Sequence, residues 1–279
     1  MSEKVFMKAP TVIPVQEEAP DKRIKPVHPN FIQPPSLCLG IGAVKSGKTT
    51  LINNLLLRPY EEGFYGQDYF QNVHIISNTI NNDPTARFLR KAFDVQDFYT
   101  DGMITDLVKK QKSMGEKKDM DFIALLLDDI LGSNMRRNNE ISFLATRYRH
   151  HNIGLMGVFT QNFKSVDTIL RNNATDIIIF KQTNNKQLIQ IAEEFHPPFQ
   201  SIEMFLKIYH KAVAKKYDFL YLKVQEGKAL RSFEEVLYDD NKMLGEDVEL
   251  PEDVKSVMDG GIQGLKKRTN SLAFHSIFQ

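Results

Sequence analysis

The sequence predicts an α/β protein with a mostly parallel central sheet flanked by helices, and three observations carry that expectation. Five short apolar runs recur at 36–41, 72–77, 122–127, 153–159 and 176–180, with helix-forming segments between them. Alternation of this kind means parallel strands joined by covering helices. A glycine-rich loop, "GAVKSGKTT" at 42–50, stands between the first run and the helix former "LINNLLLR". An acid pair, Asp128-Asp129, closes the third run in "FIALLLDDI".

Composition bounds what such a chain can be. A length of 279 residues with 42% hydrophobic residues allows one good α/β core with arms to spare. The formal net charge of +1 excludes a strongly basic nucleic-acid binder, so any DNA contact must come from local loops. The one cysteine, Cys38, lies in the first apolar run; there can be no intrachain disulfide and no Cys-rich zinc site, which fits a reducing compartment. No stretch reaches 18 apolar residues and the start "MSEKVFMKAP" lacks the apolar centre of a signal peptide, so the expectation is a soluble chain with no membrane partner.

Taken in order, residues 1–35 hold seven of the 12 prolines and predict an extended N-terminal arm, lying on a surface or loose and a candidate to bind a neighbouring subunit. The run 36–41 is the first buried strand. Gly42, Ala43, Val44, Lys45, Ser46, Gly47, Lys48, Thr49 and Thr50 then spell G-x-x-x-x-G-K-[ST] and one residue more, the P-loop. In that pattern backbone N–H groups cradle phosphates, the lysine reaches the β and γ phosphates and the hydroxyl of Thr49 holds Mg²⁺. The helix that follows has Leu51 and Leu55 one turn apart and is ended by Pro59. "NVHIIS" at 72–77 is the next strand, and Asp83-Pro84 reads as N-cap and first helical residue of a cover helix.

The third strand delivers its acids at its C-terminal end, where ligands of open α/β sheets sit. Asp128 suits the Mg²⁺ carboxylate of a Walker B site, touching the metal directly or through one of its waters, and Asp129 is placed to orient or deprotonate an attacking water. The alternative for either is to cap the next helix. "GVFTQN" ends a fourth strand on Thr160 and Gln161, whose side-chain amide can touch both a γ-phosphate and the attacking water and so report hydrolysis. After "DIIIF" at 176–180, "YDFLYLKV" at 217–224 alternates and is expected to add an edge strand. The P-loop domain is therefore bounded at 36–231. From 232 to 259 ten acids face Lys242 and Lys255 before "KKR" at 266–268, predicting an acidic then basic extension over 232–279, solvated or docking.

Spacing selects the branch. Small-molecule kinases and GTPases usually reach the Walker B strand directly after the P-loop helix, whereas here a whole strand, 72–77, is inserted between them. That order predicts the additional-strand, motor-like class of P-loop NTPase.

Residues 147–183, "RYRHHNIGLMGVFTQNFKSVDTILRNNATDIIIFKQT", resemble the HerA-FtsK superfamily of DNA-pumping ATPases, with a basic helix end, a strand closing on Thr-Gln, a short helix and a further strand. The "RH" before that strand, "R-N-N" before "TDIIIF" and the small size look like the poxvirus-type genome-packaging ATPases of large DNA viruses. The likeness covers roughly 36–195. It implies a RecA/FtsK-like fold and a homo-oligomeric ring that hydrolyses ATP with Mg²⁺ and drives double-stranded DNA into a capsid. It further implies a capsid or portal protein as a possible partner, and the virion, host cytoplasm or viral factory as location. By that likeness Lys48 and Thr49 bind phosphates and metal, Asp128 the metal, Asp129 the catalytic water, and Gln161 is the sensor. The superfamily commonly has Glu where Asp129 stands; the shorter side chain reaches about one methylene less, a gap that a water can bridge.

A ring motor also needs a cation from the neighbouring subunit to stabilise the transferring phosphoryl group. Arg149, 12 residues before Gln161, is the first choice, with Arg147 and Arg171 as the other candidates. His150 and His151 are adjacent and lack ligand spacing, so no metal role is expected. For DNA phosphates the candidates are Arg136 and Arg137, the group Lys109, Lys110 and Lys112, and the group Lys211, Lys215 and Lys216. Two rivals remain open at this level: a helicase-type ATPase stimulated by DNA or RNA, and a nucleotide or small-molecule kinase.

Overall fold

The computed structural model describes residues 23–130 and 138–240. The nine strands among them are β1 (Ser36–Ile41), β2 (Asn72–Ser77), β3 (Asp94–Gln96), β4 (Ile123–Asp128), β5 (Ile153–Thr160), β6 (Asp176–Phe180), β7 (Phe219–Lys223), β8 (Lys228–Arg231) and β9 (Glu235–Asp239). They form one sheet in the order β3-β2-β4-β5-β1-β6-β7-β8-β9. The first six run parallel and β7 to β9 antiparallel. The β1, β4, β5 and β6 strands are buried along their whole length, as continuous apolar runs under helices on both faces require.

Alternation along β1 sorts the core into two layers. Leu37, Leu39 and Ile41 point to the face covered by α3 (Met103–Ser113), α4 (Asn139–Ala145), α5 (Thr168–Asn173), α6 (Asn185–Phe195) and α7 (Ile202–Ala212). Cys38 points to the other, where α1 (Lys48–Leu57) lays Leu51, Ile52, Leu55 and Leu56. The short helix α2 (Arg87–Ala92) closes that layer with Leu89. Burial pushes the Cys38 thiol well up, with the nearby Asp176 carboxylate adding to it, so this cysteine is a packing residue.

Three features differ from the sequence expectations. "YDFLYLKV" does not make an edge strand: β7 pairs with β6 on one side and β8 on the other, and a hairpin to β9 extends the sheet. Glu235 and Asp239 thus lie in a strand beyond the boundary drawn at 231; the acid count masked the alternation of Val236, Leu237 and Tyr238. Residues 24–35 are part of the packed body: Phe31 and Ile32 are buried, and the hydroxyls of Tyr60, Tyr65 and Tyr69 donate to the carbonyls of Pro26, Ile32 and Lys25. Prolines there remove donors without removing the carbonyls that these tyrosines use. The rest of the expected arm and the stretch 241–279 lie outside the described residues.

At the rim where the parallel strands begin, Ser36, Thr175 and Tyr221 all donate to the buried Asp176, at 2.6, 2.7 and 2.5 Å. This network ties β1, β6 and β7 together at the end remote from the P-loop. Among the described residues no helix is long and apolar enough to cross a membrane.

Candidate functional site

The loop between β1 and α1 takes its shape from two left-handed residues, Lys45 at φ 61° and Gly47 at φ 111°. Gly47 is the N-cap of α1 and no side chain caps that helix, so its first-turn N–H groups face an open cavity. Gly42 is required by crowding: a Cβ there would lie 2.4 Å from Ser46 Oγ and 2.9 Å from Phe180. The cavity holds about 720 Å³ and is lined by Val44 to Thr50 on one side, Thr79 and Asn82 to Thr85 on another, and Asp129, Gln161 and Tyr217. That is room for a nucleotide.

The sheet order brings the chemistry together. In space β5 lies between β1 and β4. The C-terminal end of β5 therefore sets Gln161 between the P-loop and the acid pair. Lys48 is 7% exposed; its ammonium donates to Gly42 O at 3.0 Å and Ala43 O at 3.4 Å and lies 3.7 Å from Asp129 Oδ2. Gln161 Nε2 donates to the same Oδ2 at 3.0 Å. Asp129 itself sits at φ 51°, a left-handed turn off the end of β4 that swings its carboxylate to the P-loop. Its side chain is thus engaged with Lys48 and Gln161, and the next described helix, α4, is capped by Asn138.

Asp128 is the last residue of β4 and is 4% exposed. Ser77 at the end of β2 donates to its Oδ2 at 2.9 Å, while Oδ1 is buried with no hydrogen-bond partner among the described residues. Burial, then the charge of Asp129, push its carboxyl up to about 6, against the Ser77 hydrogen bond and Lys48. A buried carboxylate oxygen without a donor among the described residues is a hard-oxygen ligand of the kind that Mg²⁺ takes, and the hydroxyl of Thr49 in the P-loop is a second oxygen of that kind. Among the described residues there is no group of three or more His, Cys, Asp or Glu that could hold a metal ion.

A chain of glutamines missed by the sequence reading extends the site. Gln187 on α6 donates to Gln161 O at 3.1 Å and to Gln182 Oε1 at 2.7 Å, and Gln182 donates to Ile41 O at 3.1 Å. These bonds fix the ends of β5, β6 and β1 relative to one another. Ser77 and Tyr217 were missed as well; single polar residues at strand and helix ends carry no spacing signal.

Of the three candidate arginines, Arg147 and Arg149 lie away from this rim. Arg149 belongs to the turn Tyr148–His151 that precedes β5, at the opposite rim of the sheet, and is exposed, with Nε donating to Tyr148 Oη at 3.0 Å. The eight residues of β5 separate it from Gln161, roughly 26 Å at strand rise. Arg147 stacks over Phe143 with its guanidinium 4.1 Å from the ring centroid. Arg171 is bound to Glu194 and Thr168 within the chain. Of the DNA candidates, Arg136 and Arg137 lie outside the described residues; Lys110, Lys112, Lys215 and Lys216 are exposed, Lys109 pairs with Asp106, and Lys211 is half-buried.

A P-loop capping an uncapped helix, an acid pair two strands away and a strand interposed between them define an additional-strand P-loop NTPase fold. No protein-family model matches the chain, and no curated protein matches it. Among solved structures it is similar to the genome packaging NTPase B204 of Sulfolobus turreted icosahedral virus 2. The sulfate complex aligns with TM-score 0.52 and 19% identity over 72% of this chain and 97% of that one. The ATP-gammaS complex aligns with TM-score 0.50 and 18% identity over 71% and 96%. B204 of Sulfolobus turreted icosahedral virus, described as a DNA-packaging ATPase, gives TM-score 0.50 and 16% identity over 72% and 98%. At these identities the likeness is one of fold.

Proposed function

We propose that this chain is an ATP-driven translocase of double-stranded DNA, of the kind that packages a viral genome, working as a homo-oligomeric ring. One observation carries the reading: Gln161, from the strand interposed between P-loop and acid pair, shares Asp129 Oδ2 with Lys48. A lysine, a carboxylate and an amide so joined form a device that both cleaves a phosphoanhydride and detects that it has been cleaved. The B204 neighbours, one with ATP-gammaS and one described as a DNA-packaging ATPase, support the choice of ATP and of DNA.

On ATP binding the first-turn amides of α1 take the phosphates. Lys48 exchanges its carbonyl partners, Gly42 and Ala43, for the β and γ oxygens. Thr49 and Asp128 would hold Mg²⁺, which supplies charge neutralisation at the β and γ oxygens. With the lysine withdrawn, Asp129 is released to orient the attacking water and accept its proton as the water adds to the γ phosphorus and ADP leaves. Gln161 then loses or regains its bond to Asp129 according to whether the γ-phosphate is present, and Gln187 passes that change to α6.

Arg149 is the trans-acting cation. Its place at the far rim keeps it from its own P-loop but leaves it exposed for the P-loop of an adjacent copy. The lysines of α3 and of the segment before β7, together with Arg136 and Arg137, are the candidates for DNA phosphates, and a capsid or portal protein is the expected further partner in a virion or viral factory.

The test is phosphate release from ATP with and without long duplex DNA. Wild type should be stimulated by DNA and Lys48→Ala should be inactive. Arg149→Ala and Asp129→Asn should each be inactive alone and recover part of the rate when mixed, since some interfaces then join a good site to a good arginine. A monomer whose rate ignores DNA, or mixtures with no recovery, would overturn the reading.

A further inference from the structure

We infer that Tyr217 is the base platform of the nucleotide site, its ring stacking on the purine of the bound nucleotide; the inference rests on the nucleotide reading above. Tyr217 is exposed by 57%, unusual for a residue between a buried helix and a buried strand, and its backbone is left-handed at φ 74°. Strain of that sort in a bulky residue costs stability and clusters at ligand sites. The ring lines the P-loop cavity: a Cβ on Gly47 would lie 3.5 Å from Tyr217 Cδ1.

Topology gives the direction. Asp129 and Gln161, which mark the γ-phosphate end, come from β4 and β5 on one side of β1. Tyr217 comes from the other side, two residues before β7, whose first residue Phe219 pairs with Phe180 at the end of β6. A nucleotide with its terminal phosphate at Lys48 and Asp129 and its β-phosphate in the loop therefore extends its base toward Tyr217. The ammonium of Lys216 lies 4.7 Å from the ring centroid, which covers one face with a cation and leaves the other for a base. A second groove, sharing Thr50, Pro84 and Thr85 with the cavity and containing Phe88, 51% exposed, is the rival place for the base.

The chain has no tryptophan, so Tyr217→Trp installs a single reporter. Its emission should change with ATP and stay constant with inorganic tripolyphosphate. Tyr217→Ala should weaken ATP binding about tenfold, the scale of one stacked base. It should leave tripolyphosphate binding unchanged, while Tyr217→Phe stays near wild type and Phe88→Ala has no effect. Tripolyphosphate bound by wild type and lost in Lys48→Ala, together with unchanged ATP affinity in Tyr217→Ala, would overturn the platform and leave the nucleotide site standing. Loss of ATP affinity in Phe88→Ala alone, or of duplex DNA affinity alone in Tyr217→Ala, would overturn it too. Lys48→Ala without effect on either ligand would overturn both readings.

Discussion

At the residue scale the site is built on charges held against their preference. Asp128 is buried with one oxygen unpaired among the described residues, and its raised folded-state value of about 6 has a definite sign. The folded chain keeps a proton that the unfolded chain has lost, so this group's penalty grows as pH rises from about 4 to about 6 and is full above. A shift of two units sets a ceiling of about 3 kcal/mol on it. Asp128→Asn keeps an acceptor for Ser77 and removes the charge. In metal-free buffer at neutral pH it should therefore melt higher than wild type, with the gain vanishing near pH 4, while hydrolysis is lost. Asp129→Asn should retain ATP binding and lower turnover by about 10²–10⁴, the range of a general base; equal loss of binding would mean that Asp129 acts as a phosphate ligand and holds no water.

At the element scale the two rims of the sheet do different work. The remote rim is tied by the Asp176 network, and Tyr221→Phe strips Oδ1 of its donor. Leaving a buried acceptor short costs about 1–3 kcal/mol, readable in chemical denaturation with turnover per folded molecule unchanged. On the α1 face, Leu55 is fully buried, and Leu55→Ala should cost about 2–5 kcal/mol and loosen the helix that carries Lys48. Six of the nine strands were legible as apolar or alternating runs, because parallel strands buried on both faces must be apolar throughout. The others were not: Asp94–Gln96 is three residues long with two of them exposed, β8 is four residues with a charge at each end, and the acids of β9 read as tail. Lys48, Asp128, Asp129 and Gln161 were legible since each ends a strand or opens a helix in a fixed pattern. Tyr217, Ser77 and the glutamines beyond Gln161 reach the site only through the fold's own juxtapositions, to which local sequence is blind.

At the scale of the whole molecule, the placement of Arg149 at one rim and the P-loop at the other makes the proposed contact between copies heterologous, joining unlike surfaces head to tail. Such a contact has an arithmetic. An open pair completes one site of two, an open trio two of three, and a closed circle completes all. Specific activity should accordingly climb with protein concentration, pass through half its limit where pairs dominate, and level off once the circle shuts, as turnover followed alongside light scattering would record. A mirror-type pair, in which both arginines serve both sites, would reach full activity already as a dimer. In the proposed ring the far-rim arginine would turn each catalytic centre into a counter of neighbours: a subunit with no one behind it would carry every group on its own P-loop rim and still idle.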